Sequence, residues 1–351
     1  MTTRSAEIAA VPPDRLTDWL RREVPQVAVG HEPVDVERIS GGHSNLTFRI
    51  TDAAGGRWAL RRPPLGMVLA TAHDMGREWR FITALAPTTV PVPPPVAFCA
   101  DPDVIGAEFY LMEFVDGDVL GDEAAGHRLA PGAPRRTAGL HAVDVLADLH
   151  AVDPDTVGLG DLRRPGNYLE RQLRRWHRQV HESVVPDLST VDAVHDRLVE
   201  RAADLPPSDD RIAHGDFRLG NLAVGPDGRV TAVFDWELAA IGDPLADLGW
   251  LIASWGRPGD PVPPTILGPS LVPGYADRDE LVARYAERSG RDVSHLDVYV
   301  AFARWRSACI GAGVYSRYVG GVMGAAEADG GAERLASIQH QAEAALAALG
   351  G

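Results

Sequence analysis

The stretch HGDFRLGNLAVGPDGRVTAVFDWE, His214 to Glu237, gathers three hard oxygen donors, Asp216, Asn221 and Asp235, around one short turn. Its arms, NLAV and RVTAVFD, are β-prone, and the Gly-Pro-Asp-Gly between them is turn-forming, so the segment predicts a hairpin. Reversal of the chain brings the start of one arm and the end of the other to the same end, which sets Asn221 near Asp235. Mg²⁺ prefers oxygen ligands and keeps several positions for water and nucleotide phosphate. One amide oxygen and one carboxylate therefore suit a cation completed by ATP. Asp216, five residues before Asn221, is spaced to accept a proton from a hydroxyl attacking a γ-phosphate. Singly, each of these residues also fits a polar hairpin whose carboxylates cap turns.

The elements that must position them divide the chain in two. PPDRLTDWLRREV predicts an amphipathic helix with Leu16, Trp19 and Leu20 on one face. VDVERIS, NLTFRIT and RWALRR follow as strands, joined by Gly41-Gly42-His43-Ser44 and DAAGG. HDMGREWRFITALA predicts a helix with Trp79, Ile82 and Leu85 in phase. VPVPPPVAFCA and AEFYLMEF predict a proline-led strand and a buried one. The order β-β-β-α-β-β makes an antiparallel sheet with one helix. The polar, glycine-rich VDGDVLGDEAAG marks a boundary, giving an N-terminal part at 1–115 and a mainly helical part at 116–351. The hairpin is expected as isolated β structure among those helices. GRPGDPVPPTILGPSLVPG predicts a proline-rich loop.

Composition narrows the chemistry. A formal charge of −15 over 351 residues argues against a general nucleic-acid binder, which needs a basic surface. No apolar run reaches the roughly 18 residues of a membrane span, and MTTRSAEIAAVPPDR has no signal-peptide core, so a cytoplasmic protein without membrane partners is expected. Cys99 and Cys309 fit no zinc or redox spacing and are expected as buried thiols. All 34 basic residues are arginine. The absence of lysine excludes a Walker A loop and any Schiff-base mechanism. No HExxH or G-x-S-x-G pattern supports a hydrolase. On LERQLRRWHR, Arg171, Arg174, Arg175 and Arg178 recur at i, i+3, i+4, i+7. Such a stripe is either a solvated face or a binding face for an anionic acceptor.

HGDFRLGNL followed by FDWE resembles the catalytic loop and metal segment of aminoglycoside phosphotransferases and choline kinases. The resemblance implies a bilobal protein-kinase-like α+β fold, with an antiparallel-sheet N-lobe for the nucleotide and a mainly helical C-lobe. It implies Asp216 as catalytic base, Asn221 and Asp235 as Mg²⁺ ligands, His214 as a brace and Arg218 at the transferred phosphate. SGGHSNLTFRI is similar to the turn over the ATP phosphates, through Gly41, Gly42, Ser44 and Asn45. In WALR, Arg61 stands where kinases carry lysine, with Glu78 as its helix partner. Its neighbour Arg62 competes for that role, and strand alternation allows only one to face the nucleotide. LMEFVDG resembles the hinge, implying that the backbone of Glu113 and Val115 meets adenine. RRPPLG, TAHDMGREWR, NYLERQLRRW and ELAAIGDPLADLGW particularly resemble the kinase-like segment of acyl-CoA dehydrogenase family members ten and eleven. The resemblance spans roughly residues 35 to 255. It implies transfer of the ATP γ-phosphate to a hydroxyl of a small molecule, either an aminoglycoside or a hydroxyacyl or other anionic metabolite. The rival expectation is a nucleotide-binding pseudokinase that regulates or scaffolds.

Overall fold

The computed structural model describes residues 10–39, 45–64, 74–260, 263–320 and 331–350. The predicted phosphate-turn residues Gly41, Gly42 and Ser44 lie outside them. Two compact units divide the chain: Met1–Asp116 with Thr231–Glu237, and Gly117–Val230 with Leu238–Gly351. The short segment ending in FDWE, which follows the hairpin turn, thus belongs with the first unit.

The first unit opens with helix α1 (Pro13–Glu23). Leu16, Trp19 and Leu20 face the core as their spacing predicts, and Trp19 meets Phe109 edge-on at 4.9 Å. Strands β1 (Asp35–Arg38), β2 (Leu46–Thr51), β3 (Arg57–Arg62), β4 (Pro95–Cys99) and β5 (Phe109–Glu113) form one sheet in the order β1-β2-β3-β5-β4. All neighbours are antiparallel. The proline-led β4 takes an edge, where a missing N–H costs no ladder bond, and its register shifts between Pro95 and Ala97. A one-turn helix, Pro102–Ile105, joins β4 to β5 and was not foreseen.

Helix α2 (Met75–Leu85) begins where the Asp74 side chain accepts the Arg77 amide at 2.8 Å. Its buried face is Met75, Glu78, Phe81, Ile82 and Leu85, while Trp79 is only half-buried. Apolar periodicity placed Trp79 inward because it does not admit a carboxylate to the core. Here the carboxylate has a cationic partner, and that rotates the inward face.

The second unit holds α3 (Ala133–Ala151), α4 (Tyr168–Val180), α5 (Ser189–Ala203), α6 (Pro244–Ser254), α7 (Arg278–Ser289), α8 (Leu296–Val319) and α9 (Gly331–Ala348). Strand β6 (Arg211–Ala213) pairs antiparallel with the later strand Ala240–Gly242, so the hairpin is not the only β structure here. The turn itself closes by Gly225 N to Arg229 O at 2.8 Å and Gly228 N to Gly225 O at 2.9 Å. Gly228 has φ 86°, and a Cβ there would sit 2.1 Å from the Pro134 carbonyl oxygen, so both conformation and space demand glycine. Among the described residues no helix is long and apolar enough to cross a membrane. Cys99 and Cys309 are buried and free.

Candidate active site

In the second unit, β6 delivers His214, Gly215 and Asp216 into a loop held chiefly through its backbone. Asp247, in the first turn of α6 and 1 % exposed, accepts the His214 amide at 2.6 Å and the Gly215 amide at 2.8 Å. Burial alone would raise the Asp247 pKa. The His150 hydrogen bond, the histidines' charge and the Gly215 amide outweigh it and hold the carboxyl below its ordinary value. His150 is in turn oriented by the Tyr285 hydroxyl at 2.7 Å. The Gly215 carbonyl accepts Arg306 at 2.7 Å. Gly215 turns at φ 84°, and a Cβ would lie 2.6 Å from the Leu238 carbonyl oxygen, so this reversal also requires glycine. His214 braces the loop by accepting the Asp216 amide on Nδ1 at 3.2 Å.

The Asp216 carboxylate is oriented at both oxygens. Trp250 Nε1 donates to Oδ1 at 2.7 Å and Asn221 Nδ2 donates to Oδ2 at 2.8 Å. Arg218 Nε lies 3.5 Å from Oδ2. Asn221 Nδ2 also reaches the Asp216 carbonyl at 2.8 Å, so its carbonyl oxygen is the group left to offer a cation. Asp216 thus couples a fixed orientation to partial exposure, as a proton acceptor for an incoming hydroxyl needs.

The first unit contains a separate ionic cluster. Arg61 Nε donates to Glu78 Oε2 at 2.9 Å, and its outer nitrogen pairs with Asp235 Oδ1. Glu78 is 1 % exposed and also accepts Tyr110 OH at 2.9 Å and Asn45 Nδ2 at 2.6 Å. Asn45 reaches Glu237 Oε2 at 3.2 Å. Burial would weaken the Arg61 charge, but Glu78 and the neighbouring carboxylates win and raise its pKa. Glu78, Asp235 and Glu237 bring ligand oxygens within 4.8 Å of one another, a hard-oxygen set that fits Mg²⁺. Asp235 has φ 65°, the sole positive φ at a non-glycine residue among those described. That left-handed conformation, tolerated by aspartate and costly for most residues, marks a position held for its side chain.

Arg62 points elsewhere, donating to the Pro63 and Ile105 carbonyls at 3.0 and 2.8 Å and to that of Ala10. The Glu113 amide is taken by the Pro94 carbonyl at 2.9 Å, and Val115 follows just beyond β5. The four arginines of α4 part company. Arg171 binds carbonyls of residues 164–166, Arg174 is exposed and pairs with Glu170 at 3.5 Å, and Arg178 is exposed. Arg175 lies over Trp176, 5.5 Å from its ring centroid. Sequence reasoning missed Tyr110, Glu237, Trp250 and Arg306. The FDWE motif held the signal for Glu237; nothing local marks Arg306, which comes from α8. The hold of Asp247 on the loop backbone has no local sequence signal either.

Comparison with known proteins gives the family and the fold. Residues 35–292 match the model of the phosphotransferase enzyme family. The chain is 33% identical over 324 residues to acyl-CoA dehydrogenase family member 11 of Gallus gallus, covering 89% of this chain and 40% of that protein. It thus spans about two-fifths of its curated relative. A candidate aminoglycoside phosphotransferase from Ralstonia eutropha is similar in structure, at 34% identity and TM-score 0.78, with 95% of this chain and 98% of that one covered. The GDP and kanamycin complex of an aminoglycoside phosphotransferase shares the fold at TM-score 0.61 and 17% identity, over 95% of this chain and 98% of that one. An antiparallel sheet with an arginine–glutamate pair, a mainly helical unit with an HGD loop, and the match over residues 35–292 place the chain in the phosphotransferase enzyme family.

Proposed function

We propose that the chain transfers the γ-phosphoryl group of ATP to a hydroxyl of a small molecule, with Mg²⁺ as the required cation. The observation that carries this reading is the carboxylate of Asp216, held at both oxygens on a loop whose backbone is itself anchored. The acceptor oxygen forms a bond to the γ-phosphorus as the bond to the β,γ-bridging oxygen breaks, and ADP leaves. Asp216 Oδ takes the hydroxyl proton. Asn221 and Asp235 would hold Mg²⁺, which supplies charge neutralisation at the phosphates when bound. Arg61, with Glu78 fixing its fork, and Arg218 would position phosphate oxygens, while Gly41, Gly42, Ser44 and Asn45 would cover them. Adenine would take the remaining hinge groups, the Glu113 carbonyl and the Val115 amide. A loose phosphoryl transition state asks little covalent help, so alignment and charge supply most of the acceleration.

An anionic acceptor is the reading the second unit favours. Arg306 is 7 % exposed, has no carboxylate partner among the described residues, and its buried Nε lacks a hydrogen bond. Its guanidinium stacks 4.5 Å from the Trp250 ring and 5.6 Å from that of Trp176, whose other neighbour is Arg175. Trp250 donates to Asp216, so this positive charge adjoins the proposed base. A hydroxyl compound carrying a carboxylate or phosphate suits it better than a polycationic aminoglycoside.

The test is thermal stabilisation by ATP with and without Mg²⁺, followed by a mass screen for phosphate gain over hydroxyl compounds. The expected result is Mg-dependent stabilisation and a phosphorylated anionic acceptor. Stabilisation with no phosphorylated compound would instead favour the nucleotide-binding regulator.

A further inference from the structure

The helix pair α4–α5 carries a second cluster that the phosphotransfer reading leaves unused. His177 lies in the last turn of α4, His181 caps the C-terminus of that helix four residues on, and Asp192 lies in the first turn of α5. Their ligand atoms converge. His177 Nε2 is 3.2 Å and His181 Nε2 is 2.9 Å from the same oxygen, Asp192 Oδ1, and the two nitrogens are 3.2 Å apart. We propose that His177, His181 and Asp192 form a binding site for a transition-metal cation, Zn²⁺ being the best match.

Distances decide between a cation site and a plain hydrogen-bonded group. A circle through the three atoms has a radius of about 1.8 Å, shorter than the roughly 2.0–2.1 Å of a Zn–N or Zn–O bond, so one ion reaches all three together. Tetrahedral ligands at that bond length stand about 3.3 Å apart, close to the spacings observed. Hydrogen bonding explains the triangle less well. Two N–H groups aimed at one oxygen crowd each other, and the contact between the two nitrogens gains nothing. Two imidazoles and one carboxylate are borderline donors that suit Zn²⁺ and disfavour Mg²⁺ and Ca²⁺.

The surroundings suit a bound cation. All three side chains keep one side open to water, at 34%, 45% and 40% exposure, which leaves room for a solvent ligand. The His195 ring stacks on His177 at 3.9 Å and turns its Nδ1 to Asp196, so it backs the ligand. A bound ion would staple α4 to α5 across the intervening loop of residues 182–188.

The experiment titrates chelator-stripped protein with Zn²⁺ alone, by calorimetry and by melting temperature, with Co²⁺ absorption as a probe of four-coordination. Wild type is expected to bind one ion at this site, with a rise in Tm and a visible Co²⁺ band. His181→Ala and Asp192→Asn should each lose at least tenfold in affinity, and Asp235→Asn should keep it, since a cation in the first unit's carboxylate cluster would behave the opposite way. Absence of Zn²⁺ binding, or binding indifferent to His181→Ala and Asp192→Asn, overturns the proposal. No step depends on catalysis, so failure of the phosphotransfer reading leaves this result interpretable.

Discussion

The two units each position charged groups, and they do so by opposite means. In the first, Arg61, Glu78 and Asp235 hold one another, so the groups proposed to meet the nucleotide are also the structural anchors. In the second, the anchors and the reactive group are different residues. Asp247 and Arg306 fix the loop through its backbone, and Asp216 rides on it partly exposed. Substitution in the first unit should therefore cost stability and activity together. In the second the two can be separated.

The largest expected effect is the cleanest separation. Asp216→Asn keeps the shape and one acceptor oxygen but removes the proton acceptor, so turnover should fall by about 10²–10⁴-fold, while the one hydrogen bond it forfeits should cost less stability than Asp247→Ala does. Its counterpart, Asp247→Ala, strands two buried amides at about 1–3 kcal/mol each, so denaturant unfolding should show a large loss of stability. In the first unit, Glu78→Gln should cost about 1.5–3 kcal/mol and raise KM for ATP at the same time. If Glu78→Gln raised KM while leaving stability intact, the contrast between the units would fail.

Acid sharpens the comparison. Burial holds His150, the partner of Asp247, below the ordinary histidine value of 6.5. Below that pH the unfolded chain takes up a proton that folded His150 refuses, so stability falls as pH drops from 6.5 through the folded value. Tm measured from pH 7 downward should show this decline, with a shallower slope in His150→Gln. The smallest effect belongs to Arg174→Glu. Its exposed pair with Glu170 should be worth little, within about 0.5 kcal/mol, and acceptor KM should hardly move, whereas Arg175→Glu should raise it.

Local pattern made much of this readable. The β-β-β-α-β-β order, the proline-led edge strand and the turn at Gly228 follow from periodicity, missing N–H groups and positive φ. Glu78 beside Arg61 came from resemblance alone, because no periodicity predicts a carboxylate in a helix core. Arg62, next in sequence, differs from Arg61 by strand alternation, which sends it to backbone carbonyls. Arg306 and the His177–His181–Asp192 triangle were not legible. Each depends on packing between elements far apart or on side-chain direction, and a single sequence carries no signal for either.

ADP release from Mg·ATP, measured alone and with a pool of anionic hydroxyl compounds, tests the central claim most directly in wild type and Asp216→Asn. Release stimulated by the pool in wild type, and lost in Asp216→Asn while ATP affinity is kept, is the predicted result. Release that ignores both the pool and the substitution would contradict a phosphotransferase built on Asp216.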